Sequence, residues 1–324
     1  MVHAIRIHEY GGPEVLRWEE VQVGEPGPGH VRIRQTAVGL NYIDTYHRSG
    51  VYKLPQLPAV IGAEGAGVVE AVGPDVTTLK VGDRVGYAGP IGAYAESRLI
   101  LADRLIPLPS WIEDRQAAAM LLQGMTAQFL LRSTFVVQPG DTILVQAAAG
   151  GVGLILCQWA KHLGATVIGT VSSDEKAELA RAHGCDHPIV YTRENFVARV
   201  KDITDGQGVP VVYDGVGKTT FMDSLDCLRP RGFMVLFGAA SGPVPPLDLQ
   251  LLAAKGSLYV TRPTLFTYVA KRDDLMTSAA DLFEVVHAGG VNIEVRQTFP
   301  LRDAAEAHRA LESRSTTGST VLLP

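Results

Sequence analysis

The stretch that decides the fold is TILVQAAAGGVGLILCQWAKHLG, residues 142–164. Thr142 to Gln146 is a short apolar, β-branched run and reads as a buried strand. From Gly153 onward the run has the length and spacing of a helix. Between them, Ala148-Ala149-Gly150-Gly151-Val152-Gly153 matches G-x-G-x-x-G with alanine in the first place. Small residues there let backbone approach a pyrophosphate, whose charge then meets the amino end of the helix. Gly153 lets that helix pack closely on its strand. The strand–turn–helix context makes this a dinucleotide-binding signature, with Gly150, Gly151, Val152 and Gly153 at the cofactor. The 19 residues 142–160 carry no charge, near the ~20 that a bilayer span needs. Three glycines break the middle and Gln146 and Gln158 flank it, so the strand–turn–helix reading is preferred to a membrane span.

The chain after this turn alternates. ATVIGTV, PIVY, VPVVYD and GFMVLFG read as strands. DEKAELARAHG, TRENFVARVKDIT and a segment near 218–227 read as the helices between them. GSLYV (256–260) adds a further candidate strand. Such alternation predicts βαβ units and a parallel sheet. The first ~110 residues differ: short β-branched runs are punctuated by Gly11-Gly12-Pro13 and by Gly24 to Gly29, with no helix-period stretch before Trp111. That pattern predicts a small, partly open barrel. EDRQAAAMLLQGMTAQFLLRS is helical, with Gly124 as a break or domain junction. At the C-terminus a helix near 273–290, the strand IEVRQTFP, the helix RDAAEAHRALESR and the strand STVLLP complete the chain. A last strand of this kind returns to the earlier sheet. The expected domains are therefore 1–123 with 266–324, and 124–265 inserted between them.

The cofactor can be read further. The fingerprint calls for an acid about 20 residues on, at the end of the next strand, to hold the ribose hydroxyls of NAD. ATVIGTV ends at Val171 and is followed by Ser172, Ser173, Asp174, Glu175 and Lys176. Hydroxyls and a lysine suit a 2′-phosphate, so NADPH is favoured over NADH. Ser172-x-x-Glu175 is also a capping box for the next helix, and the two roles are compatible. Asp214-Gly215-Val216-Gly217-Lys218-Thr219 ends like a Walker loop, but Val212 stands where its first glycine belongs. It reads instead as a strand end approaching the nicotinamide half of the cofactor.

The chain of 324 residues has 29 basic and 34 acidic side chains, a net charge of −5. This offers no general attraction to nucleic acid or an anionic membrane surface. Hydrophobic residues make up 46 %, too many for a disordered chain. The three cysteines, Cys157, Cys185 and Cys227, form no CxxC pair, which excludes a disulfide scaffold and a four-thiolate zinc lobe. A reduced, cytoplasmic setting fits them best. Arg6 and Glu9 interrupt the apolar N-terminal stretch, so it is not read as a signal peptide. His183, Cys185 and His187 are spaced as a metal cluster would be, but they lie between a helix end and a strand, with Gly184 a plausible cap.

AAAGGVG with QWAKHLGATVIGTV resembles the medium-chain dehydrogenase/reductase superfamily. EYGGPEVL, GLNYIDTYHRSGVY, GAEGAGVVEAVG, VGDRV, VVYDGVG, KGSLYVTRPTL and DAAEAHRALESRSTTGS are similar to its zinc-independent quinone oxidoreductase (zeta-crystallin-like) branch, nearest the bacterial NADPH-dependent members. The likeness covers essentially the whole chain. It implies a GroES-like catalytic domain and a Rossmann domain, with the cofactor in the cleft between them. It also implies homodimers, often with Rossmann sheets joined edge to edge. By motif it places Asn41, Tyr42, Asp44, Thr45 and Tyr46 on the nicotinamide side, Tyr52 near the substrate, and Thr126, Gly151 and Val152 on the cofactor. Ser172, Lys176 and Tyr191 would hold the 2′-phosphate end, and Phe237, Gly238, Ser241, Arg262, Thr264 and Arg314 would complete the site. Gly215 departs from the family, which commonly carries serine there.

Zinc-dependent relatives use a cysteine where this chain has Asn41, and a Gly-His-Glu histidine where it has Ala63 within Gly62-Ala63-Glu64. Without those ligands no tetrahedral catalytic zinc site is expected, and Glu64 reads as structural. Lacking a Lewis acid, the enzyme suits hydride delivery to an electron-poor quinone better than oxidation of an unactivated alcohol. Tyr46, Tyr52 and Asn41 are the catalytic candidates, the tyrosines as hydrogen-bond donors to the developing oxygen charge. They read equally as wall residues, with water supplying the proton. The alternative activity is NADPH-dependent reduction of enone or alkenal double bonds. A further alternative is an NADPH-binding structural or RNA-binding protein, which the charge balance disfavours. No G-x-S-x-G elbow supports a hydrolase.

Overall fold

The computed structural model describes residues 1–324, which form two compact units. One comprises Met1–Leu122, Ala270–Ala279 and Ile293–Pro324, the other Gln123–Val269 and Ala280–Asn292.

The first unit is built on β1 (Val2–Ile7), β2 (Arg17–Val21), β3 (His30–Leu40), α1 (Tyr42–Ser49), β4 (Ala59–Val60), β5 (Glu64–Val72), β6 (Arg84–Ala88), β7 (Ser97–Leu101) and β8 (Ile106–Pro107). Strands β2, β1 and β4 make a small antiparallel sheet. Strand β3 alternates buried and partly accessible side chains along its first half and pairs antiparallel with both β5 and β7. The unit's core gathers Ile5, Ile7, Ile33, Ile61, Val85, Tyr87 and Ile100.

Helix α1 corrects the sequence reading, which placed no helix before Trp111. The segment YIDTYHRS has no long apolar stripe, so periodicity does not reveal it. Its ends define it instead. Asn41 and Asp44 form a capping box, and Gly50 at φ 81° closes the helix in the left-handed region. Helix α2 (Asp114–Phe129) also differs from expectation, since it runs unbroken through Gly124. A Cβ at Gly124 would lie 2.5 Å from Leu282 Cδ1, so the glycine serves close packing and interrupts nothing.

The second unit alternates β9 (Thr142–Val145), α3 (Gly151–His162), β10 (Thr166–Val171), α4 (Asp174–Ala182), β11 (His187–Val190), α5 (Phe196–Ile203), β12 (Val209–Asp214), α6 (Phe221–Leu225), β13 (Leu228–Leu236), α7 (Gln250–Ala254) and β14 (Tyr259–Thr261). All six strands are parallel, in the order β11-β10-β9-β12-β13-β14. Numbered from β9, this is the 3-2-1-4-5-6 order of a doubly wound Rossmann sheet. The chain therefore reverses direction across the sheet between β9 and β12, and ligands bind at the carboxyl ends of such a pair.

The remaining elements are α8 (Leu265–Tyr268), α9 (Arg272–His287), β15 (Val295–Pro300), α10 (Ala304–Glu312) and β16 (Ser319–Leu323). As expected, the last strand returns to the first domain. β16 pairs antiparallel with β3, and the large sheet runs β15-β16-β3-β5-β6-β8. No helix is long and apolar enough to cross a membrane.

Candidate functional site

The glycine turn sits at the carboxyl end of β9, beside the reversal point. Gly150 precedes α3 in extended conformation (φ −80°, ψ 172°), and no side chain caps the helix. Its first amides consequently have neither an intrahelical acceptor nor a capping side chain, an arrangement suited to an anion. Space requires glycine at one of these positions. A Cβ at Gly153 would stand 2.3 Å from the Ala147 carbonyl oxygen, and one at Gly151 would stand 2.3 Å from Gln123 Oε1. The contact at 153 is with fixed backbone, so only glycine fits there, whereas the contact at 151 is with the end of a side chain that can move.

Side-chain hydrogen bonds tie three strand ends together beneath this turn. Thr170 Oγ1 donates to Gln146 Oε1 at 2.5 Å, and Gln146 Nε2 donates to Ser224 Oγ at 3.0 Å. Ser224 Oγ donates to Asp214 Oδ2 at 3.2 Å. Asp214 Oδ1 accepts the amides of Val216 (2.7 Å) and Gly217 (3.0 Å). Gln146, Thr170, Ser224 and Asp214 are all buried. Burial raises the Asp214 carboxyl, while the donors from Thr220, Gly217, Val216 and Ser224 act to lower it. The chain thus links the end of β9, where the glycine turn begins, to the loop after β12. Sequence reading missed Gln146, Thr170 and Ser224, because the links run 24 and 78 residues apart.

At the ends of β10 and β11 the structure brings Ser172, Lys176 and Tyr191 to one edge. The Tyr191 amide donates to Val171 O (3.1 Å), and Thr192 Oγ1 donates to Ser172 O (3.2 Å). No carboxylate ends strand β10. The cap of α4 is Ser173, whose Oγ accepts the Lys176 amide at 3.3 Å. The expected box at Ser172 is one residue off, because Ser172 still belongs to the turn leaving the strand.

Phe237, Gly238 and Ser241 follow β13. The Phe237 amide donates to Asp214 O (2.9 Å) and the Ser241 amide to Val216 O (2.8 Å). A Cβ at Gly215 would come within 2.9 Å of Phe237 Cζ, the tip of that side chain. Arg262 and Thr264 are exposed after β14, and Thr126 is buried on α2.

In the first unit, α1 and the turn after it gather the aromatic candidates. The rings of Tyr42 and Tyr46 lie 6.2 Å apart, and those of Tyr46 and Tyr52 lie 5.2 Å apart edge to face. The Tyr52 amide donates to Tyr46 O at 3.1 Å, which fixes the two relative to each other. Thr45 Oγ1 donates to Tyr42 O (2.7 Å). Burial raises the Tyr42 hydroxyl, and the Arg314 charge opposes that rise. His47 was not anticipated. It packs edge-on against Tyr52 at 6.1 Å, its Nδ1 is buried without a hydrogen-bond partner, and burial lowers its pKa.

Asn41 Nδ2 donates to Glu64 Oε2 at 2.7 Å, and the Leu122 amide donates to Glu64 Oε1 at 2.8 Å. Complete burial nevertheless pushes Glu64 up to about 8. Asp44 accepts from the Asn41 amide (2.9 Å) and from the Tyr94 hydroxyl (3.0 Å), and burial pushes it up to about 7. From Asp44 a polar chain leads to the last helix. Tyr94 Oη meets His308 Nε2 at 3.0 Å, and Arg48 NH1 meets His308 Nδ1 at 2.9 Å. Arg48 also forks onto Glu312 at 2.9 and 2.7 Å. Arginine can only donate, so Nδ1 accepts and Nε2 carries the proton to Tyr94. Burial and the neighbouring Arg48 push His308 down to about 3.

His183 Nδ1 bonds Leu179 O at 2.8 Å, Cys185 Sγ contacts Val167 O at 3.7 Å, and His187 opens β11 in an exposed position. Each of the three thus has its own surroundings, and Gly184 at φ 89° makes the turn.

Residues 27–110 match the alcohol dehydrogenase GroES-like domain family, and residues 151–280 match the zinc-binding dehydrogenase family. A quinone oxidoreductase of Pseudomonas aeruginosa is 55 % identical, over 100 % of both chains. A 2-haloacrylate reductase of a Burkholderia species is 50 % identical, over 100 % of this chain and 99 % of its own. The crystal structure of an Escherichia coli quinone oxidoreductase in complex with NADPH superposes with a TM-score of 0.98 at 47 % identity, covering 99 % of this chain and 100 % of that one.

Proposed function

The chain belongs to the zeta-crystallin-like quinone oxidoreductase branch of the medium-chain dehydrogenase/reductase superfamily, and from that membership we infer that it is an NADPH-dependent quinone reductase working without a metal. The observation that carries this reading is the pairing of an uncapped, glycine-lined α3 terminus with a β10 end that bears Ser172 and Lys176 and no acid. When bound, NADPH supplies a hydride. Gly150, Gly151, Val152 and Gly153 would receive its diphosphate, and Ser172, Lys176 and Tyr191 its 2′-phosphate. Thr126, Phe237, Gly238, Ser241, Arg262, Thr264 and Arg314 are assigned to the same cofactor.

Residues of α1 and of the turn that follows it would supply the acceptor's surroundings. Tyr46 and Tyr52, locked edge to face, present flat apolar faces to a quinone and hydroxyls to its oxygen. A hydrogen bond from either would favour the charge that develops as the ring is reduced. Asn41 acts through its cap on α1 and its bond to Glu64. That bond also supports metal independence. The position that holds cysteine in zinc enzymes offers an amide already engaged, and Ala63 has no ligand atom. Three free, buried cysteines are consistent with a reducing, cytoplasmic setting. Edge strand β14 exposes Tyr259 and Val260, a surface suited to joining a second copy in a homodimer.

The similarity to a 2-haloacrylate reductase favours a second reading, reduction of an activated C=C bond. Parallel assays of NADPH oxidation against quinones and enones, repeated with NADH, separate the two. Higher kcat/KM on quinones supports the first reading, and higher kcat/KM on enones supports the second.

A further inference from the structure

The amino end of α4 poses an electrostatic problem for the proposed cofactor. Its first turn carries Asp174 and Glu175 against the single positive charge of Lys176, a local excess of one negative charge. Acids are favourable there for the helix itself. A 2′-phosphate carries roughly −1.5 to −2 charges near neutral pH, and would meet that excess at close range. The solution in this chain comes from the neighbouring strand's exit. Arg193 NH1 donates to Asp174 Oδ2 at 2.6 Å and NH2 to Oδ1 at 2.5 Å, a two-pronged fork. The fork's reach is set by the backbone links already described, which hold residues 191 and 192 against the end of β10. With Arg193 counted, the cluster's side chains sum to zero.

We propose that Arg193 is a specificity determinant for the phosphorylated cofactor, acting indirectly by engaging and neutralising Asp174. The inference rests on the NADPH reading above and adds to it a residue outside the phosphate-contacting set. The pair is exposed, so its importance is for ligand choice, and it adds little to stability. Arg193 leaves Lys176 and the serines to meet the phosphate, while Asp174 still supports its helix.

The test measures binding by titration calorimetry on the full chain, with adenosine 2′,5′-bisphosphate and 5′-AMP as probes. Arg193→Gln should weaken the bisphosphate by roughly three- to tenfold, the order of one surface charge pair acting on a doubly charged group. It should leave 5′-AMP unchanged. Asp174→Asn/Arg193→Gln should restore bisphosphate binding, because the charge that needed neutralising is gone. A double variant as weak as Arg193→Gln would overturn the indirect role. Equal binding of the two probes by the unmodified protein would overturn the NADPH reading itself, and this inference with it.

Discussion

The side-chain amide of Asn41 donates to the buried carboxyl of Glu64 at 2.7 Å. This bond places a neutral group where zinc-dependent relatives hold a thiolate, and it anchors the cap of α1. Replacing Asn41 with alanine leaves Glu64 one donor short in a dry site, a loss of about 1–3 kcal/mol. Thermal unfolding should register it, and the cap on the helix bearing Tyr42, Thr45 and Tyr46 should loosen with it. Asn41→Asp should be worse above neutral pH, because two adjacent buried carboxyls cannot both ionise cheaply.

The pH dependence of stability follows from three buried groups, Glu64 and Asp44 shifted up and His308 shifted down. Glu64 rises from 4.5 to about 8 on folding. The folded state therefore holds more protons between those values, and its stability falls as pH rises through that window. His308 drops from 6.5 to about 3, so its contribution is present above 6.5 and is lost as pH falls toward 3. Asp44 rises from 3.8 to about 7 and acts in the same sense as Glu64. The two carboxyls outweigh His308 between them, so denaturant unfolding should show stability falling as pH rises from 4.5 to about 8. Glu64→Gln should flatten that fall, and His308→Gln should steepen it below pH 6.5. Unchanged profiles in these variants would contradict the assignments.

Tyr46→Phe and Tyr52→Phe test the donor role. Loss of a hydroxyl that hydrogen-bonds the developing charge should lower kcat/KM for quinones by roughly tenfold to a hundredfold. NADPH affinity should stay the same. Full activity in both variants and in their combination would make these tyrosines walls, with solvent as the proton source.

Gln146→Leu removes the centre of the buried chain linking Thr170, Ser224 and Asp214. The variant should lose about 1–3 kcal/mol of stability, since its partners remain buried. Fluorescence titration should also show weaker NADPH binding, because the glycine turn and the loop after β12 lose their common support. Wild-type affinity in a folded Gln146→Leu protein would confine the chain to a structural role.

Much of this was legible in the chain because it is local. The turn at 148–153 carries strand, glycines and helix within one stretch, and the alternation after it fixes a parallel sheet. The return of the final strand to the barrel sheet also followed from its pattern. Helix α1 was not legible from periodicity, since its stability lies in the Asn41–Asp44 box and Gly50. Gly124 misled because a glycine inside a helix reads as a break, whereas here it makes room for Leu282. The chain from Asp44 through Tyr94 to His308 joins residues 50 and 214 positions apart, and no spacing rule reaches that far. Arg193 likewise belongs to no motif, and its fork on Asp174 joins residues 19 positions apart.

The central claim is hydride reduction of a quinone by NADPH without a metal. Its most direct measurement is steady-state NADPH oxidation with a simple benzoquinone, on protein of determined metal content, before and after exhaustive chelation. The expected result is saturable turnover that chelation leaves unchanged, with NADH a poorer donor. Activity that disappears on chelation and returns with added zinc would contradict it.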